Sequence, residues 1–553
     1  MQGMPRFTNI FSRVQFKEDG EDESLVVLEA TGPFPFELVA EGPCLYSLKV
    51  RGKLNMFSGP LEVRDGIIKQ VSIKEEGPEE ARFLIHLEVP TEAFTTVQKG
   101  LPAKVTVHLS RKPMKEFYQG RLLVIDPGHG GPDAGHRGPV NLWERDMVWI
   151  AAREFAEILQ HLGAMVVITR EKEENPSWKE RIKKAGTETS LFLSLHTHGS
   201  TDEKVRGAAV KYNPRAKGGE NLARMVLEAI TSKTKVPGRG VEPESELAEL
   251  GETQALLVEM VTITNWVDEG VLRNPYFYRK LAQATLSAFY HFAILNEGYA
   301  GSEVFLKPSV EAAKTEEEAQ KKDAKVGPPL HSIPKAAVKG ARYIAKIPIR
   351  THIITEKDNI VEVARRYTEG IVGPGDVIAL AESVVAISQG RAILPENVKP
   401  GWLARFLCRF PEKSGSLATP AAMQLAIQEA GWLRILAGCL AAAIGRLLHR
   451  KGYFYIVAGR ELALIDDVAG TMYPYDRHIV LGPREPQKVV EEIKKATRAE
   501  AVIADVNDLG CVDILAVTKG TALRAVQEAL RDNPFGNEDE QTPIVVLKRL
   551  RVT

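Results

Sequence analysis

Four residues carry the chemistry that this sequence offers: His129, Glu144, His196 and Glu259. His129 stands in Val124-Ile-Asp-Pro-Gly-His-Gly-Gly131, where a short apolar run breaks at Asp-Pro-Gly and a lone imidazole follows between glycines. That pattern predicts a buried strand running into a loop. Glu144 stands near the start of the next helical run, His196 ends the apolar run at 191–195, and Glu259 ends Leu256-Leu-Val258. Three of the four therefore fall where a strand meets a loop, and open α/β sheets collect ligands at the carboxyl ends of their strands. Two histidines, one carboxylate and an open position make a common catalytic zinc set, with the remaining carboxylate free to act as general base. Each residue also has an ordinary role open to it. His129 could be a loop histidine, Glu144 could complement a helix dipole, and His196 could be a hydrogen-bonded core residue. Glu259 fits such a role least, because burying an unpaired carboxylate is costly.

The elements that must position these residues alternate in type. Apolar positions at Met147, Ile150, Ala151, Phe155, Ile158, Leu159 and Leu162 predict a helix opening at Glu144, with Gly163 as its stop. Residues 164–169, 190–195 and 255–259 read as strands, and 274–295 as a closing helix. Such alternation predicts a largely parallel sheet covered by helices. Upstream, residues 24–29, 45–50, 83–89 and 104–109 repeat apolar positions with period two, as in a small antiparallel sandwich. Residues 313–323 are polar and charged and are followed by Gly327-Pro-Pro329, which describes a solvated linker. Further on, 375–381, 501–505 and 542–547 are strand-like and 419–445 reads as one or two helices. The expected fold class is α/β multidomain. A β-rich, β-sandwich-like domain spans 1–118, a central α/β domain with a mostly parallel sheet spans 119–300, a linker spans 301–340 and a C-terminal α/β or α+β domain spans 341–553.

Composition narrows the partners. Seventy-two basic residues balance 72 acidic ones, which argues against broad binding of nucleic acid through its phosphates. The four cysteines, Cys44, Cys408, Cys439 and Cys511, are far apart, so buried free thiols are expected rather than a disulfide framework. No signal peptide is visible at the start. The apolar run 435–444 is short of the ~20 residues that span a bilayer and reads as a buried helix, so no transmembrane segment is expected.

The same residues carry a resemblance. Val124-Ile-Asp-Pro-Gly-His-Gly-Gly131 with Asp133 and Gly135 resembles the opening motif of the zinc-dependent N-acetylmuramoyl-L-alanine amidases of the amidase 3 family. Glu144-Arg-Asp146, Thr169-Arg170, Glu180-Arg181, Leu193-Ser-Leu-His196 and Leu256-Leu-Val-Glu259 followed by Asn265 resemble its later motifs, in order, over about 180 residues. Departures are Arg145 for a usual Lys, Thr197-His198 for Ala-Asn, and Gly186 for an Asn. The resemblance implies that His129, Glu144 and His196 bind Zn²⁺ and that Glu259 is the general base. It implies a peptidoglycan or muropeptide substrate, cut between N-acetylmuramic acid and L-alanine. His136 and His198 are further histidines near that site, expected to support it or to lie on the surface. The region before Lys115 resembles the β-sandwich modules that precede such amidases and dock them on the envelope.

Residues 341–553 carry a second resemblance. Pro348-Ile-Arg-Thr-His352, Gly375-Asp-Val-Ile-Ala-Leu-Ala-Glu-Ser-Val-Val385 and Gln389-Gly-Arg391 resemble the gamma-glutamyl ligase of the deazaflavin coenzyme factor 420. That resemblance implies GTP and a divalent metal, Mg²⁺ or Mn²⁺. Asp466, Asp467, Asp505 and Asp508 are the candidate ligands, and 532–537 is a polar turn beside them; as ordinary structure they are turn and cap residues. No Walker-type phosphate loop is present, so nucleotide binding rests on the resemblance and no other cofactor-binding residue is assigned. Two further readings follow: a GTP- and metal-dependent gamma-glutamyl ligase-like enzyme as the main activity, or a non-catalytic wall-binding scaffold. A wall substrate implies the cell envelope, while the lack of a visible signal leaves the cytoplasm open.

Overall fold

A computed structural model describes residues 4–17, 21–202, 204–297, 314–315, 343–411, 416–447, 453–467, 471–506, 511–536 and 540–549. The 301–340 linker expectation falls outside the described residues except at Lys314–Thr315, which pair with Thr96 and Val97. The architecture is mixed α/β, with several sheets.

The period-two segments of the first hundred residues form two sheets whose long strands pair antiparallel. Alternation is clean in the strand Glu80–Leu87, where Ala81, Phe83, Ile85 and Leu87 face inward. Their core does not end at residue 118. One apolar cluster runs from Phe7 through Phe83 and Phe117 to Leu193, Leu256 and Ala293. The joint is aromatic: Phe117 lies 5.8 Å from Phe289 and 5.1 Å from Tyr290 between ring centroids, and the Tyr118 hydroxyl donates to Leu286 O at 2.6 Å.

The next sheet has six strands in the order Met165–Ile168, Leu122–Pro127, Thr189–His198, Ala255–Thr262, Ala208–Tyr212 and Gly238–Pro243. All adjacent pairs are parallel except Ala208–Tyr212 against Ala255–Thr262. The helix Glu144–His161 buries Ala151, Phe155, Ile158 and Leu159 of the expected stripe together with Val148 and Ala152, whereas Ile150 is exposed. Pro275–Glu297 packs beside it.

The C-terminal sheet has five strands, ordered Tyr343–Ile349, Ile544–Arg549, Val377–Ala381, Glu500–Val506 and Val512–Val517. Only Val377–Ala381 and Glu500–Val506 run parallel. This unit meets the N-terminal sheets through buried Arg350, whose guanidinium donates to the carbonyls of Phe57, Gly59 and Pro60 at 2.9–3.1 Å.

Two expectations need correction. The run at 435–444 is mostly not buried: Ile435 and Gly438 are enclosed, while Leu436, Leu440 and Ile444 are exposed together with Trp432 and Leu433. Its helix, Trp432–Leu447, turns most of its apolar face away from the small helical core around Ala422 and Leu425. Composition reports that a helix is apolar, not which neighbours cover it. Of the four free cysteines only Cys408 is buried, and Cys511 is exposed. Among the described residues no single helix is long and apolar enough to cross a membrane.

Candidate metal centre

The Leu122–Pro127 strand ends in a tight loop that delivers His129 with φ of +57°, a left-handed conformation uncommon outside glycine. Two buried arginines hold that loop by its carbonyls. Arg170 donates to Pro127 O at 2.8 Å and Gly128 O at 3.0 Å, and Arg181 donates to Pro127 O at 2.7 Å and His129 O at 2.6 Å. Asp126 anchors the base of the loop, accepting from Arg181 at 2.9 Å, Ser194 at 2.7 Å and Thr169. The Thr169-Arg170 and Glu180-Arg181 pairs are therefore loop supports. Glu180 itself closes a capping box with Ser177 that starts the helix carrying Arg181.

His129, Glu144 and His196 each offer a ligand atom, and these atoms lie within 4.8 Å of one another. Among the described residues no other group of three His, Cys, Asp or Glu side chains does so. Glu144 is fully buried at the start of its helix. Its Oε2 lies 3.2 Å from His129 Nε2 and accepts from the His136 backbone N–H at 2.9 Å and His136 Nδ1 at 2.8 Å. Its Oε1 accepts from His196 Nδ1 at 3.2 Å and the Thr197 backbone N–H at 2.8 Å. Burial alone pushes this carboxyl up, but the hydrogen bonds and charges of His129 and His196 outweigh it and hold it far below the usual carboxylate range. His129 Nδ1 donates to Asp133 at 2.9 Å, which turns Nε2 toward Glu144.

The glycines of the motif are steric requirements. A Cβ on Gly128 would stand 2.2 Å from the His196 ring, and one on Gly135 would stand 2.7 Å from both Glu144 Oε2 and His129 Cδ2. The residues present fit a zinc ion: two imidazoles and a fixed carboxylate converge, and no bulkier residue could flank them.

Glu259 stands beside His196 in register on the adjacent parallel strand. It is ion-paired with Arg239, and lies 3.5 Å from both Lys211 Nζ and His198 Nδ1. Sequence reading missed Arg239, on the edge strand Gly238–Pro243; its Gly-Arg-Gly setting was the only local signal. It placed His136 and His198 near the site, and the structure puts one on Glu144 and the other beside Glu259. Asn265 caps the helix Trp266–Val271, accepting from the Val267 and Asp268 N–H groups.

The C-terminal candidates separate. Asp466, Asp467 and Asp505 line one cavity of about 490 Å³, which Glu382, not foreseen as a site residue, shares. Glu382 and Asp505 lie just at the carboxyl ends of the parallel pair Val377–Ala381 and Glu500–Val506, in which Ala381 pairs with Ala504. Glu382 is 5% exposed and its Oε2 has no hydrogen-bond partner among the described residues. Burial, with the charges of Asp466 and Asp505, drives its carboxyl well up. Burial and the neighbouring aspartates likewise raise Asp466 to about 7. Asn533, Phe535 and Gly536 of the polar turn line the cavity too. Asp508 and Asn537 lie outside the described residues.

Comparison with known proteins agrees with this division. Residues 123–290 match the family model described as N-acetylmuramoyl-L-alanine amidase, and residues 348–507 match that described as F420-0:gamma-glutamyl ligase. The chain thus joins an amidase-family domain to a ligase-family domain. Over 175 residues it is 28% identical to the N-acetylmuramoyl-L-alanine amidase LytC of Bacillus subtilis, covering 31% of this chain and 35% of that protein. It is 27% identical to the probable cell wall amidase LytH of Staphylococcus epidermidis, over 32% of this chain and 58% of that one. With the germination-specific N-acetylmuramoyl-L-alanine amidase of Bacillus subtilis it shares 26% identity, over 32% of this chain and 81% of the relative. The solved N-acetylmuramoyl-L-alanine amidase AmiC2 of Nostoc punctiforme is 26% identical, with 32% of this chain and 98% of that one covered and a TM-score of 0.30. The matched segment thus spans about a third of LytC and somewhat over half of LytH.

Proposed function

We propose that residues 119–300 form a zinc-dependent hydrolase that cleaves the amide bond between N-acetylmuramic acid and L-alanine in peptidoglycan or muropeptides. The observation that carries this reading is the convergence of His129, Glu144 and His196, with Glu259 next to His196 in register. His129, Glu144 and His196 would hold the ion, which when bound supplies Lewis acidity toward the amide carbonyl and the attacking water. Asp133 fixes the His129 ring, and the backbone N–H groups of His136 and Thr197 fix the Glu144 carboxylate. Glu259 takes a proton from the attacking water and returns it to the L-alanine nitrogen as the C–N bond breaks. Arg239 and Lys211 hold the Glu259 carboxylate in place while it does so. Residues 1–118 read as a β-sandwich-like module that docks the hydrolase on the envelope, where its substrate lies. In Glu259→Ala, zinc content stays at the wild-type level while release of L-alanine amino termini from muropeptide falls by ~10²–10⁴-fold. Cleavage by this variant at the wild-type rate would remove Glu259 as the base.

The cavity lined by Glu382, Asp466 and Asp505 favours a second activity on the same chain, a GTP- and Mg²⁺- or Mn²⁺-dependent gamma-glutamyl ligase-like reaction. Glu382, Asp466 and Asp505 offer hard oxygen donors to such a cation, and the observation behind it is that Glu382 Oε2 has no hydrogen-bond partner among the described residues.

A further inference from the structure

The 490 Å³ cavity is not made by the ligase-family domain alone. Arg273, in the turn joining the helices Trp266–Val271 and Pro275–Glu297 of the amidase-family domain, and Gly270 and Tyr276, at the helix ends that flank it, form part of its wall. Arg273 is the residue with chemistry to offer. Its side chain is 15% exposed, and its Nε and Nη2 have no hydrogen-bond partner among the described residues. The nearby carboxylates stand back: Nη2 lies 3.9 Å from Glu269 Oε2 and Nη1 lies 3.8 Å from Asp467 Oδ2. Glu269 is not free to close the gap, because its oxygens accept the N–H groups of Val140 at 2.7 Å and Leu142 at 3.0 Å. Those bonds hold the loop that leads into Glu144.

A guanidinium kept this dry with unused donors costs stability unless something binds it. Its planar fork matches an oxyanion. The carboxylates lining the same cavity call for a cation instead. A free anion would leave the crowded carboxyl groups of Glu382, Asp466 and Asp505 without a compensating charge. A bare cation would leave the Arg273 donors unpaired. A phosphate chain chelated to a divalent cation satisfies both, and the cavity lies in the ordinary size range of small-molecule sites.

We propose that Arg273 is the oxyanion-binding residue of the C-terminal cavity, so that a site for a cation-chelated phosphate ligand is completed only by the neighbouring amidase-family domain. The cation rests on the ligase-like reading given above; the role of Arg273 is a separate assertion. Calorimetric titration of the full chain with Mg²⁺ alone, then with Mg²⁺–tripolyphosphate, tests the two apart. The wild type binds both. Arg273→Gln binds Mg²⁺ equally or more tightly, since a positive charge has left the acidic cavity, but binds Mg²⁺–tripolyphosphate at least ~10-fold more weakly, about 1.4 kcal/mol. Arg273→Lys, which keeps the charge and loses the fork, falls between and guards against a folding defect. An unchanged tripolyphosphate affinity in Arg273→Gln overturns the assignment, as does no binding to the wild type at millimolar ligand. If Asp466→Asn leaves the Mg²⁺ titration unaltered, the cation reading fails instead.

Discussion

The chain holds two sets of buried carboxylates, both beside the carboxyl ends of parallel strands, and they are electrostatic opposites. Glu144 is entirely enclosed, yet each of its oxygens is met by an imidazole and a backbone N–H, and it is held ionised. Glu382 is almost as enclosed, but its charged neighbours are Asp466 and Asp505, so burial and like charge drive it toward the neutral acid. Depth does not set the state of a buried carboxylate; what faces it does. The amidase-family centre is assembled, with ligand atoms within 4.8 Å, whereas among the described residues no trio in the acidic cavity converges that closely. One cluster is preassembled and electrostatically satisfied, and the other is under a strain that a cation would relieve.

That contrast can be broken from either side. The largest effect is expected at the assembled centre. Glu144→Ala removes the carboxylate that both histidines meet, and if it is the proposed ligand, zinc affinity measured by competition with a chelator falls by more than ~100-fold. A smaller effect of opposite sign is expected in the acidic cavity. Asp466→Asn removes a like charge, so the cation-free unfolding midpoint at pH 8 rises by about 2–4 °C, while the stabilisation that Mn²⁺ gives the wild type disappears. A lower midpoint would mean that the aspartate is held as Glu144 is.

Glu88 sharpens the rule at a carboxylate outside both sites. It lies 3.2 Å from His291 at the joint between the first sheets and the helix Pro275–Glu297, and burial, then Asp65, raise its carboxyl to about 8. A raised pKa means that its contribution to stability is complete below the ordinary value of 4.5 and is lost as pH climbs through about 8. Glu88→Gln should match the wild type in thermal midpoint at pH 4.5 and exceed it by a few degrees at pH 9. Equal midpoints at both pH values would show that Glu88 meets a compensating charge.

The sequence made the assembled centre readable because alternating strands and helices imply a parallel sheet, which brings residues 67 positions apart together by topology alone. His129 does lie in the loop after its strand, but Glu259 lies inside Ala255–Thr262 rather than at its end, because Met260 and Val261 carry the buried run past it. The partners that tune them were less legible. Arg239 reaches Glu259 from an edge strand whose sequence has no clear period, and Arg273 meets Asp467 across a contact between domains that leaves no local trace. Glu382 stands inside the ligase-like motif 375–385 with nothing to single it out, and it opens the helix Glu382–Ser388. The exposed Trp432–Leu447 helix misled because an apolar stretch carries the same composition whether or not anything covers it.

Zinc K-edge absorption on the purified full chain tests the central claim most directly. The protein should hold one zinc per chain, with a first shell of imidazole nitrogen and carboxylate oxygen at ~2.0–2.2 Å, and lose that signal in His196→Ala. A sulfur shell near ~2.3 Å, or an imidazole signal that survives His196→Ala unchanged, would contradict it.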